Sequence, residues 1–242
     1  MLKIFMSSLL LLSVSSLAAE ITIHQNNNTQ YIRVADHARL SDVYQKSKFQ
    51  NNINWPAAFL TNSILTETVH TKKNEVIRKL NALITTDSDH KNELNGLIHY
   101  LKNLPVAGRI RTTLDPDWIN VRPLLNRPVV GHYDLYTTAY PGTISVIGLT
   151  EQKKVLPIDL AQVHDYLKLI ASSELAAPGY AYLIEPDGSV SKVGVAIWNR
   201  KEDRVVMPGS VIFVGLNPSA LPDSYNALNE DIIAVLANRI PE

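Results

Sequence analysis

Ile21-Thr22-Ile23-His24 alternates apolar and polar positions, the two-residue period of a strand with one buried face. Asn26-Asn27-Asn28 follows, with side chains that tolerate left-handed backbone angles, and Tyr31-Ile32-Arg33-Val34 resumes the strand pattern, so the stretch predicts a β-hairpin. Leu40, Val43 and Tyr44 then stand at helical spacing and predict a short helix. Past Trp55-Pro56-Ala57-Ala58 the period changes. Leu65, Val69, Val76, Leu80 and Leu83 form one apolar helical stripe, and Leu94, Leu97, Leu101 and Leu104 form a second. The break between them, Thr85 to Asp89, offers Asp87 or Ser88 as an N-cap, and the pair predicts an αα-hairpin inserted into a strand-rich chain.

Strand-like runs return at 109–114, 119–121 and 133–138, separated by Asp115-Pro116-Asp117, Pro123 and Pro128. Tyr140-Pro141-Gly142 marks a boundary. Beyond it the pattern predicts a strand over 143–149, a helix over 161–170, a hairpin of 180–185 and 190–198 turning at Pro186-Asp187-Gly188, and a strand over 211–216. That order suits a small α+β sheet crossed by one helix. A last helix starts at Pro222-Asp223-Ser224, buries Tyr225, Leu228, Ile232, Val235 and Leu236, and stops at Pro241. Asn226, Asn229, Glu230, Asp231, Asn238 and Arg239 fall on its polar side, and its single apolar stripe with little basic charge suits docking on a protein surface.

The extreme N-terminus reads differently. Lys3 precedes an apolar run over 4–17, and Ser16-Leu17-Ala18 places small residues before a cut, so residues 1–18 read as a secretory signal peptide cleaved after Ala18. The run is short for a membrane span, which needs about 20 residues. The expectation is a periplasmic chain with no transmembrane helix after cleavage. Loss of Lys3 leaves 22 basic against 23 acidic residues, a net charge of −1. Such a balance carries no electrostatic footprint for nucleic acid. Hydrophobic residues make up 45% and charged residues 19%, ordinary for a globular chain, and there is no cysteine, which removes disulfides, thiolate metal sites and cysteine nucleophiles.

Candidate chemistry is sparse. The seven histidines are scattered without metal-ligand spacing, and no Gly-x-Ser-x-Gly, His-Glu-x-x-His or phosphate loop occurs, so neither metal nor cofactor is expected. Arg109 and Arg111, two residues apart where the insertion returns to the sheet, suit a fork for a carboxylate or a sugar acid. The competing role, favoured for Arg111, is a salt bridge to Asp115 or Asp117 that pins the insertion, while Arg109 stays open to either a ligand or a structural contact. Asp115 and Asp117 are themselves either ligand contacts or, with Pro116 between them, a turn in which carboxylates accept backbone N–H groups. Trp55, Trp118 and Trp198 are either sugar platforms or core, with core expected for at least two.

Several landmarks point one way together: Trp55-Pro56-Ala57, Gly108-Arg109, Leu114 to Asp117, Gly131-His132-Tyr133-Asp134-Leu135-Tyr136, Ala196-Ile197-Trp198-Asn199-Arg200, and Leu228-Asn229 through Arg239-Ile240-Pro241. In that order, over essentially the whole mature chain, they resemble the GfcC-like (YjbG-like) capsule biosynthesis family. The run from Trp198 to Arg204 departs from the family's usual Trp-Asn-Lys-Arg-His by being longer and more acidic. The resemblance implies an α+β chain of two β-grasp (ubiquitin-like, SLBB-like) domains, related to the periplasmic domains of Wza-type polysaccharide export proteins. Mapped onto the patterns above, residues 19–140 form the first, with the helical hairpin 63–104 inserted; residues 141–220 form the second; residues 221–242 form a C-terminal amphipathic helix. It further implies a role in capsule or exopolysaccharide assembly and export with no established catalytic activity, and the expectation built on it is a non-enzymatic accessory factor that binds a polysaccharide or an outer-membrane export protein in the cleft between the domains. The alternative is a carbohydrate-active enzyme using the aspartates of that cleft on the exported glycan.

Overall fold

The computed structural model describes residues 19–26, 28–49, 52–86, 90–171, 173–200 and 204–241. The signal-peptide segment 1–18 and the expected caps Asp87 and Ser88 lie outside the described residues. Strand β1 (Ala19–Gln25) buries every second side chain and pairs antiparallel with β2 (Asn28–Val34). The tight turn is made possible by Asn26 at φ 51°, left-handed backbone that asparagine tolerates. Helix α1 (Leu40–Lys46) lays Leu40 and Val43 on this hairpin. Two further strands complete a four-stranded sheet in the order β2-β1-β4-β3. β4 (His132–Thr137) runs parallel to β1, and β3 (Phe59–Thr61) pairs antiparallel with β4.

The helical insertion sits between β3 and β4 in the chain. It consists of α2 (Ser63–Thr86) and α3 (Lys91–Asn103), with His90 at the α3 N-cap. Two expectations are corrected in the return segment. Residues 109–114 carry a single bridge, Ile110 to Leu60, rather than a strand. Residues 119–121 belong to helix α4 (Pro116–Val121). Asp115 is its N-cap, accepting from the Asp117 N–H, and Pro116 opens the first turn, where its missing N–H costs nothing. These local start signals override the strand-like alternation of Ile119-Asn120-Val121.

The second sheet has five strands in the order β6-β5-β9-β7-β8, comprising β5 (Ile144–Gly148), β6 (Lys153–Val155), β7 (Tyr180–Ile184), β8 (Val190–Gly194) and β9 (Val211–Val214). Helix α5 (Val163–Leu167) crosses it. Both sheets thus repeat one scheme: an opening hairpin, a helix, and a last strand parallel to the first. That scheme is compatible with the β-grasp expectation, and the chain as a whole is α+β.

Burial explains why β9 reads as an unbroken apolar run. One face of the second sheet, with Ile144, Val146, Leu183 and Ile212, is covered by Val163 and Tyr166 of α5. The other face, with Ile147, Ile184, Val211 and Phe213, shares a core with Leu80, Leu83, Leu97 and Leu101 of the insertion and with helix α6 (Leu228–Ala237). The insertion from the first unit is therefore part of the cover of the second. Within α6, Asn229 and Arg239 (just past its end) are corrected from polar-face to buried positions. Asn229 donates to the Leu216 carbonyl and accepts from the Leu216 N–H, at 2.8 and 2.9 Å. No helix among the described residues is long and apolar enough to cross a membrane.

Candidate functional site

A groove of about 330 Å³ opens where the segment after α3 meets the β7–β8 turn. Trp55, Phe59, Arg109, Arg111, Thr112, Thr113, Asp115 and Trp118 line it from the first unit, and Asp187 from the second. Each wall has a local cause. Trp55 sits on a one-turn helix and packs edge-on against Phe49 and tilted against Tyr44, at 5.3 and 5.8 Å between ring centres. The Tyr44 hydroxyl donates to the Leu114 carbonyl at 2.7 Å and fixes the far end of the 109–114 segment. Burial pushes the Tyr44 phenol well up, with Asp115 adding to the shift. Helix α4 buries Ile119 and so turns the neighbouring Trp118 outward, 47% exposed, with the Arg122 guanidinium 4.4 Å over its ring.

Three of the four residues read as site candidates come together here: Arg109, Arg111 and Asp115. Asp117 is exposed and lies outside the lining. The two arginines differ in state. The Arg109 guanidinium stacks on Phe59 at 4.2 Å and donates to the carbonyls of Pro186 and Arg239, at 3.1 and 2.8 Å. Burial, with repulsion from Arg239, pulls it down to about 9, still charged at neutral pH. Arg239 behind it donates to the carbonyls of Leu236, Glu185 and Gly209. Gly188, at φ 82°, closes over this pair; a Cβ there would stand 2.5 Å from the Ala237 carbonyl oxygen. Arg109 is thus a tie between the insertion, the β7–β8 turn and the C-terminus, whereas Arg111 is exposed. Asp115 and Asp187 each use one carboxylate oxygen on a backbone N–H, from Asp117 and Ser189. The Thr112 hydroxyl is buried in the wall without a partner among the described residues.

The expectation that at least two tryptophans are core is corrected. Only Trp55 packs against a core cluster, while Trp118 is half exposed and Trp198 is 77% exposed. Trp118 and Trp198 adjoin a helix cap and a turn, where local geometry points the ring outward. The sequence pattern makes Asp187 only a turn residue; its place in the groove depends on a contact between units that no local pattern encodes.

A second cavity, of about 410 Å³, lies near His24, Tyr136 and Pro241. His24 Nε2 is 2.8 Å from Asp134 Oδ1, and its ring stacks on Tyr136 at 4.5 Å. Tyr136 in turn stacks on Phe59 at 5.2 Å, so one row of side chains joins the two cavities through Arg109. Burial raises the Tyr136 phenol, helped by Asp134.

Fold and groove together define a two-unit α+β chain with an aromatic and polar depression at the junction of its units. Comparison with known sequences gives it a place. The N-terminal part of the capsule biosynthesis GfcC family matches residues 18–140, and the C-terminal part matches residues 151–241. A protein of Escherichia coli strain K12 described as uncharacterized protein YjbG is 29% identical over 246 residues, covering 96% of this chain and 97% of that protein. The chain belongs to the GfcC capsule biosynthesis family, which places it in capsule or polysaccharide biosynthesis.

Proposed function

We propose that the chain is a periplasmic, non-enzymatic accessory factor in capsule or exopolysaccharide assembly, and that it binds the polysaccharide in the junction groove. One observation carries the reading. A half-exposed indole, Trp118, shares a concave surface with the exposed cation Arg111, the carboxylates of Asp115 and Asp187, and two threonines. An aromatic face accepts the C–H side of a sugar ring, and the charged groups around it hydrogen-bond hydroxyls or an acidic substituent. Binding without turnover is supported by the aspartates. Each has an oxygen committed to a turn or a cap, which suits holding a surface in place better than shuttling protons. Periplasmic location is supported by the charged, apolar and small-residue pattern of residues 1–18.

The test is complementation of a source strain lacking the gene. With the wild-type chain restored, surface polysaccharide returns and the osmotic-shock fraction holds a chain beginning at Ala19. Trp118→Ala and Arg111→Ala chains, present at the same level, leave surface polysaccharide depressed. Normal surface polysaccharide with both variants would sink the groove as the functional site.

A further inference from the structure

We propose that a bound polysaccharide continues out of the groove along the β7–β8 hairpin to a second platform built on Trp198 and Tyr180, so that the chain grips a stretch of polymer rather than one sugar. This rests on the groove reading above. Asp187, in the hairpin turn, lines the groove. The hairpin leads away from it in the register Ile184 to Val190, Tyr182 to Lys192 and Tyr180 to Gly194, and paired residues share a face. That face carries Ile184 and Tyr182 into the core shared with α6, and just past the end of α6 Arg109 bonds the Arg239 carbonyl and the turn. β8 is the edge strand, and its five residues extend ~17 Å at about 3.4 Å each.

Along this edge Val190 and Lys192 are exposed, and the Lys192 ammonium stands 4.5 Å over the Tyr180 ring. At the far end the chain folds into a fixed turn. Asn199 accepts from the Ala196 N–H at 3.1 Å and donates to the Gly179 carbonyl at 2.9 Å. Gly194 and Gly179 make the turn fit: a Cβ on Gly194 would stand 2.1 Å from the Asn199 carbonyl oxygen, and one on Gly179, at φ 80°, 3.0 Å from the Trp198 ring. Trp198 rests on Gly179 and leaves 77% of its surface free, next to Ile197 at 92%. Apolar side chains held outward by a hydrogen-bonded turn have no part in the core. A rigid indole and a phenol with a cation between strand and solvent suit sugar rings carrying polar or acidic groups. Two platforms joined by a rigid strand make the second contact intramolecular, so affinity grows with glycan length.

The experiment uses a partial acid hydrolysate of the source strain's surface polysaccharide, split into a disaccharide fraction and a fraction of decasaccharides and longer. Each is titrated by calorimetry into the full mature chain. Wild type is expected to bind the long fraction on the order of tenfold or more tightly than the disaccharide. Trp198→Ala should bring the long fraction down to the disaccharide's affinity, leave the disaccharide unchanged and leave the melting temperature unchanged, while Trp198→Tyr keeps most of the difference. An unaltered long-to-short ratio in Trp198→Ala overturns the track while the groove reading stands. If wild type binds neither fraction, the groove reading fails and takes the track with it.

Discussion

Arg109 gives its guanidinium to main-chain carbonyls of two other segments, Pro186 and Arg239, and stacks on Phe59. Charged donors to buried acceptors are worth more than neutral ones, and removing them strands the acceptors. Arg109→Ala should therefore lower unfolding free energy by about 2–4 kcal/mol in urea denaturation, and Arg109→Lys should recover little, because an ammonium cannot span the two carbonyls as a planar fork does. A loss under about 0.5 kcal/mol would show that the tie is idle. The sequence marked Arg109 and Arg111 as a pair because their spacing is two. The pattern favours Arg111 as the structural tie and leaves Arg109 open to a ligand; the structure reverses these roles, because the β7–β8 turn closes over Arg109 and leaves Arg111 open. Trp118 is a similar case. Its outward direction follows from the burial of Ile119 on α4, a helix whose cap signal, Asp115-Pro116, was present in the sequence beside a misleading strand-like alternation.

At the scale of elements, α6 is fastened to the insertion by one carboxylate. Asp231 accepts from Lys72 and Lys79, both at 2.8 Å, two positions that share a face of α2 because they are seven apart. Burial alone would raise the Asp231 carboxyl, but the two ammonium hydrogen bonds outweigh it and hold it below the usual range. The clasp is therefore fully present above the unfolded-state value of about 3.9 and is lost as pH falls through the lower folded value. Wild type should lose about 1 kcal/mol more than Asp231→Asn between pH 5 and the acid limit, as read by urea midpoints; parallel pH curves for the two would contradict the clasp. The long helices and the four strands of the two expected hairpins were legible, because burial on one side imposes the period. β3 and β6 were not. Each has three residues, too few to show alternation, and each exists because a longer neighbour supplies its hydrogen bonds.

Across the whole molecule, the insertion of the first sheet and the terminal helix close one core against the second sheet. Exposing either unit alone would strip that shared face. Calorimetric unfolding should show a single cooperative transition, and two resolved transitions would contradict a shared core. The same arrangement fixes the groove, since its walls come from both units and Arg109 ties them at its edge. That this groove holds the polysaccharide is tested most closely by direct titration of the mature chain with size-fractionated surface polysaccharide of the source strain. Wild type should bind saturably, and binding should weaken on the order of tenfold, or about 1.4 kcal/mol, in Trp118→Ala and in Arg111→Ala at unchanged melting temperature. Binding that is the same in wild type and both variants, or no binding by wild type at all, would contradict that role for the groove.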